Sequence, residues 1–322
     1  MKKTLGIFLL LAAIFLITGI IEPRFLGVGN LTNMARWTGL YGILAIGAGF
    51  VIITSGIDLS IGSLIGLSGS LFPLFLVGAG LPIGVGFALV ILLALTIGFT
   101  HGVLITKLKL QPFIVTLCGL FIYRGVARYI TGEINQGFGN DFQGLRLIVK
   151  YRVFDVIPMP FVIVLLLGGI AALFLNKTVY GRYLLALGRN EKAARFSGIN
   201  TDRMVICAYM ICSLLAGFGG MLFALDQNSV QPSTFGNFYE LYAIAGAVLG
   251  GCSLRGGEGT IGGIICGAAM VEVIKNAVFF LNVATESEFT VIGCVILIGV
   301  TVDEFIKRFA AKRRAKQQAG GA

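Results

Sequence analysis

The chain has 322 residues, 57% of them hydrophobic and 12% charged, with a formal net charge of +10. An ordinary soluble domain carries about 25% charged residues, so a water-soluble core of this size is excluded, and the mean hydropathy of +0.92 points the same way. A bilayer-crossing helix needs about 20 apolar residues, so about ten spans use roughly 200 and leave no room for a second soluble domain. The expected fold is one all-α integral membrane domain over residues 1–322, with about ten transmembrane helices.

The apolar runs can be taken in chain order. The first is Leu5 to Ile21, the second about Leu31 to Thr54, and the third about Leu59 to Val77. Leu81 to Thr106, Pro112 to Ile130 and Ile157 to Leu175 follow. The seventh is Met204 to Leu225 and the ninth Ile261 to Val283, while the eighth (Leu241 to Gly251) and tenth (Phe289 to about Phe305) are short. Lys2 and Lys3 ahead of the first run look like the start of a secretory signal, but Glu22-Pro23-Arg24 closes the run without a small-residue cleavage site. An uncleaved first helix is expected. The eighth run ends in Gly250-Gly251 and Gly256-Gly257 and reads as a broken or re-entrant helix, which lipid tolerates only where the freed backbone is buried in protein.

Charge sets the orientation. With the N-terminus inside, the inside segments hold Lys2, Lys3, Lys107, Lys109, Arg255, all six basic residues of the long 176–203 loop, and the basic tail 307–322. Glu133, Asp155, Asp226 and Glu240 then fall outside, as does the long 131–156 loop. The positive-inside rule predicts that both ends are cytoplasmic. It also accounts for the net charge without a nucleic-acid partner. The 46 glycines suit close helix–helix approach in lipid. The six cysteines lie in apolar or glycine-rich stretches without C-x-x-C spacing, so buried thiols are expected, not a metal or disulfide framework. A faint echo links the glycine- and serine-rich breaks at 55–63 and 250–263, and transporters often carry internal repeats.

Within the 176–203 loop the chain reads Thr178-Val-Tyr-Gly181-Arg, then Gly188-Arg-Asn190-Glu-Lys-Ala193-Ala194-Arg-Phe-Ser-Gly198-Ile199. Glu191 to Phe196 is expected to form a short amphipathic helix, started by Asn190 and stopped by Gly198. Two readings fit: a charged loop at the lipid surface, and a docking element for a partner ATPase.

A second segment, Ser55-Gly56-Ile57-Asp58-Leu59-Ser60-Ile61-Gly62-Ser63, places a carboxylate between two apolar helices. That makes Asp58 a functional candidate by default. An equally good reading has Asp58 and Ser60 capping a helix that begins at Leu59. In the ninth run Glu272, Lys275 and Asn276 form a polar patch. Glu272 and Lys275 are spaced to pair, either as a wall of the pathway or with the lysine snorkelling outward. Tyr123 and Arg124, expected toward the outer end of the fifth span, offer stacking and hydrogen bonds to a polar solute, or packing and anchoring. His101, beside Gly102, suits a core hydrogen bond better than a proton relay.

Ala193-Ala194-x-x-x-Gly198 resembles the E-A-A-x-x-x-G loop of ABC importer permeases, and its flanks resemble the ribose-type, monosaccharide branch. Gly56-Ile57-Asp58-Leu59-Ser60-x-Gly62 is similar to a signature of the same sugar permeases, and the likeness runs through Gln111-Pro-Phe-Ile-Val-Thr-Leu to the glycine-rich segment near Gly250. Amino-acid-type relatives carry a different sequence at the first of these. Two departures stand out: Lys192 replaces the glutamate, and Arg189 separates Gly188 from Asn190. The resemblance implies that Gly181, Gly188, Asn190, Ala193, Ala194, Gly198 and Ile199 belong to the element that docks the ATPase. It implies partners as well: ABC ATPase subunits that hold ATP and magnesium, an extracytoplasmic binding protein that delivers a monosaccharide, and a second copy or a paralogous permease. It places the chain in a bacterial or archaeal cytoplasmic membrane.

The chain itself has no G-x-x-x-x-G-K-[ST] loop, no zincin or nucleophile-elbow motif and no metal cluster. It is expected to be a transport subunit without a cofactor or catalytic residues of its own. The pathway candidates are Gly56, Asp58, Ser60, Gly62, Tyr123, Arg124, Glu272 and Asn276. The competing expectations are an ion-coupled secondary transporter, which needs an essential carboxylate, and an intramembrane enzyme, which needs a nucleophile or metal set.

Overall fold

The computed structural model describes residues 2–284, 287–295, 297–298 and 301. Helix α1 is Lys2–Ile21, and a 3-10 turn at Pro23–Leu26 leads into α2, Val28–Ile53. Then come α3 (Ile61–Pro73, continued by a π-turn at Leu74–Gly78), α4 (Ile83–Thr106) and α5 (Pro112–Thr131). The long loop that follows is not structureless. It holds α6 (Gln143–Lys150) and a small hairpin of β1 (Arg152–Val153) and β2 (Ile157–Pro158), paired antiparallel with Arg152 opposite Pro158. Next are α7 (Met159–Lys177), α8 (Val179–Arg189), α9 (Glu191–Phe196), α10 (Thr201–Gln227), α11 (Tyr239–Leu249) and α12 (Ile261–Phe280).

Among the described residues, seven helices are long and apolar enough to cross a membrane: α2, α3 with its π-turn, α4, α5, α7, α10 and α12. The eighth expected span is the shorter apolar helix Tyr239–Leu249, and the first falls on α1, apolar over Phe8–Ile21. The tenth lies partly outside the described residues, with 288–295 helical. The molecule is an all-α membrane protein.

Helix α2 is the central pillar. Its most apolar stretch is 89% buried within the protein, against 22% for α5 and 28% for α4 and α7. Apolar all round, such a helix belongs in the middle of a bundle, while a helix buried on one face leaves the other for lipid. Helices α7, α10, α11 and α12 all pack on α2, and α10 also joins α3 and α4. Small residues set the spacing. In α2, a Cβ on Gly47 would come within 3.2 Å of the Cys212 backbone on α10. In α4, Gly98 lies against the Tyr209 carbonyl, where a Cβ would stand at 2.6 Å. Helices driven together by van der Waals contact in lipid need such close approach.

The two ends of the bundle differ. One carries the α8–α9 hairpin, the end of α2, the end of α4 and the start of α10. The other carries α6, the β-hairpin, the start of α2 and the end of α10, where Thr32 donates to the Val156 carbonyl at 3.1 Å. The cysteines are free thiols, and Cys212 and Cys252 are buried as expected. Cys118 and Cys294 are exposed, which corrects the expectation of burial for all. A thiol counts as a small hydrophobe, so lipid accepts it on an outer helix face as readily as a core does.

Candidate functional site

The α8–α9 hairpin is built by its caps. The Thr178 hydroxyl accepts from the Gly181 amide at 3.1 Å and starts α8, where Gly181 sits on the Leu175 and Phe174 carbonyls at the end of α7. The Asn190 side chain accepts from the Ala193 amide at 3.0 Å and starts α9. Gly198 takes φ +82°, and the Ile199 amide donates back to the Ala194 carbonyl at 3.1 Å. Only a residue that tolerates left-handed backbone ends a helix this way. The expected helix from Glu191 to Phe196, with these two caps, is therefore the observed one. Ala194 turns inward at 5% exposure, whereas Phe196 is 92% exposed. An ionic node ties the hairpin to its surroundings. Asp202 at the start of α10 takes Lys107 at 2.7 Å, Lys109 at 3.8 Å and Arg195 at 3.0 Å. Arg195 also reaches Glu191 at 3.0 Å. Exposed pairs of this kind contribute under about 1 kcal/mol each.

A tighter connection lies at the other end of α9. Three turns meet there backbone to backbone. The Ser55 hydroxyl donates to the Arg255 carbonyl at 2.9 Å and reaches the Gly188 carbonyl at 3.3 Å. The Gly257 amide donates to the Ile53 carbonyl at 2.9 Å. A Cβ on Gly188 would strike the Ile53 carbonyl and the Gly257 amide. The two breaks whose sequences echo each other thus touch, with the end of α8 wedged between them.

The break after α2 buries Asp58 at 3% exposure. Its Oδ1 accepts from the Ser60 amide at 2.8 Å and the Ser60 hydroxyl at 2.6 Å. The helix begins at Ile61, and Ser60 makes no side-chain cap bond to it. This corrects the expectation that both residues cap a helix from Leu59. The carboxylate closes a turn over Ser60 instead, and so consumes the donor that would have started a helix there. The Tyr209 hydroxyl donates to the freed Ile57 carbonyl at 3.1 Å, above Gly56.

Glu240 is not at the outer surface. It is 7% exposed and lies against Gly62 in the first turn of α3. Between Asn228 and Phe238 the chain descends without regular helix, so α11 starts deep in the bundle. The eighth run forms only the short helix α11, and the non-helical segment ahead of it is held by protein side chains. Arg124 does much of this. Its Nη1 donates to the Pro232 carbonyl at 3.0 Å and the Phe235 carbonyl at 2.6 Å. The Tyr123 hydroxyl is bonded to His101 Nε2 at 2.7 Å. The donors proposed for a polar solute are engaged within the protein here.

On α12, Lys275 pairs with Glu272 at 3.4 Å, and Asn276 bonds its own helix at the Glu272 carbonyl at 3.3 Å. The lysine does not snorkel. Its ammonium lies 5.0 Å from the Tyr41 ring centre and 4.6 Å from that of Tyr242, with Glu288 at 3.9 Å. Two electron-rich ring faces and two carboxylates hold the charge inside the bundle more favourably than a long reach to water. Two features escaped the sequence reading: the Arg36–Asp226 pair at 2.8 Å and the role of Ser55. For the first, an arginine inside an apolar run was the available signal.

Comparison with known proteins bears on this geometry. Residues 30–300 match the family described as branched-chain amino acid transport system / permease component. The chain belongs to this permease family. Curated relatives include a ribose import permease protein of Bacillus subtilis, 37% identical over 310 residues, covering 94% of this permease and 92% of that protein. The ribose import permease protein of Escherichia coli K12 is 38% identical over 304 residues, covering 94% and 93%. An autoinducer 2 import system permease protein of Yersinia enterocolitica is 35% identical over 316 residues, covering 96% and 84%. No solved structure matches the permease.

Proposed function

We propose that this permease is the membrane-spanning subunit of an ATP-driven ABC importer that moves a monosaccharide delivered by an extracytoplasmic binding protein. One observation carries the reading: a capped α9, bearing Ala193-Ala194-x-x-x-Gly198, stands out from the bundle with Phe196 bare at its tip. An apolar side chain this exposed at the charged end of a membrane protein suits a partner's cleft better than water. Relatives named for import of ribose and autoinducer 2 and for transport of xylose support a sugar or sugar-like substrate.

In this reading the 176–203 loop and both termini are cytoplasmic. The shorter apolar helices at Phe8–Ile21 and Tyr239–Leu249 and the run from Phe289 complete a ten-span topology. Two copies, or one with a paralogue, enclose the pathway. Partner ATPases hold ATP and magnesium and clasp the hairpin that Gly181, Gly188, Asn190, Ala193, Ala194, Gly198 and Ile199 shape. Their closure drives the bundle between inward- and outward-facing states by binding the two differently. Selectivity rests with the binding protein, so the pathway needs only weak contacts, and Gly56, Asp58, Ser60 and Gly62 serve chiefly to shape the helix break.

Reconstitution tests this. Uptake into proteoliposomes should require the partner ATPase, the binding protein and ATP, and should fail when Ala194 and Gly198 are both replaced by leucine. Uptake driven by a proton gradient with no ATPase present would establish secondary transport in its place.

A further inference from the structure

We propose that Ser55, Gly188 and the Gly256–Gly257 turn form a joint that carries displacement of the α8–α9 hairpin into the break between α2 and α3, with Ser55 and Gly257 as positioning residues for transport. This rests on the ATPase-docking reading above and names where the motion enters the bundle.

Two of the hairpin's links to the bundle differ in stiffness. The node at Asp202 is made of long side chains, with Lys107 60% and Arg195 52% exposed. Such contacts stretch, swing and are screened by salt. The joint at Gly188 has no side chain to bend on the hairpin's part. Its members are main-chain groups and one short hydroxyl, at 2.9 Å from Ser55 to Arg255 and 2.9 Å from Gly257 to Ile53. Any closer approach is blocked, since even a methyl group on Gly188 would strike Ile53 and Gly257. Close-packed backbone passes displacement on instead of absorbing it.

The geometry on either side suits a lever. Helix α8 spans 11 residues, roughly 16 Å at the α-helical rise. It is fixed to the end of α7 at Gly181 and to the joint at Gly188. Beyond the joint, Ile53 is the last residue of α2, the buried pillar, and Ser55 opens the break that leads to Asp58 and α3. Ser55 holds φ +65°, a strained setting for a residue with a Cβ. Gly256 and Gly257 take φ +82° and +72°. A Cβ on Gly256 would strike the Ser55 hydroxyl, and one on Gly257 would strike Arg189. The turn between α11 and α12 therefore closes the joint from the far side, so that one displacement reaches both breaks.

The test uses the full chain with its genome-adjacent ATPase and binding protein in proteoliposomes. Uptake of a radiolabelled sugar that the wild-type system imports and phosphate release are measured in the same vesicles. Ser55→Gly keeps the left-handed backbone and removes only the hydroxyl. The ATPase should still co-purify with the variant, while sugar imported per ATP hydrolysed falls about fivefold or more. Loss of uptake and hydrolysis in equal proportion, or no change in either, overturns the joint. A second measurement needs no variant. On adding ATP to the wild-type complex, amide exchange at 53–57 and 256–258 should change together with that at 191–198. A change confined to 191–198 overturns the proposal. A wild-type chain that retains no ATPase refutes the docking reading itself, and the joint with it.

Discussion

One guanidinium nitrogen of Arg36 lies 2.8 Å from both carboxylate oxygens of Asp226, 190 residues away in the chain. The pair bolts the start of α2 to the end of α10, and the Asp226 carboxylate is 3% exposed. Removing one member of a buried pair strands the other and costs about 3 kcal/mol. Arg36→Ala should therefore lower the thermal unfolding temperature in detergent. Adding Asp226→Leu should recover part of the loss, because no unpaired charge then remains.

Lys275 gives a sharper version of the same experiment. Its ammonium balances Glu272, which is 2% exposed, between the Tyr41 and Tyr242 rings. Lys275→Met should destabilise the bundle by about 3 kcal/mol. The pair of changes Lys275→Met with Glu272→Gln should be milder than the single one. Scanning fluorimetry of the four proteins measures the coupling directly.

Asp58→Asn separates two roles for the carboxylate. The amide oxygen still accepts from Ser60, so the turn survives. ATP-dependent uptake should then stay within about twofold of wild type, while Asp58→Ala loses about 1 kcal/mol of stability along with the turn. Abolished uptake in a stably folded Asp58→Asn protein would mean that the negative charge itself is used.

Gly62→Ala places a methyl group where Glu240 and the Gly236 carbonyl already stand. Overpacking costs about 1–3 kcal/mol. The variant should unfold at lower temperature and show faster proteolysis at 228–238, the segment that the new methyl pushes away.

Helix positions were legible because each apolar run must answer to bilayer thickness, and the α9 caps were legible because Asn190 and Gly198 act within a few residues. The joint was not. Ser55 meets Gly188 and Arg255 across 133 and 200 residues, and contacts between main-chain groups leave no mark on side-chain pattern beyond the glycines that permit them. Glu240 was misplaced for a related reason. Charge counting assigns a residue to the nearest loop, while the segment after Asn228 dives into the bundle with few regular bonds. Lys275 was half legible: its partner one turn away on α12 was visible, but the rings that hold it belong to α2 and α11.

The wedge at Gly188 has an evolutionary corollary. Because the connection inward is made by main chain, it does not depend on which side chains decorate α9. Lys192, standing where the family motif carries glutamate, is exposed and can be exchanged without touching Ile53, Ser55 or Gly257. In the proposed reading, partner choice and force transfer are written on different atoms. On that reading, one ATPase can be exchanged for another by editing the hairpin's outer face, with Gly188 beneath it unchanged.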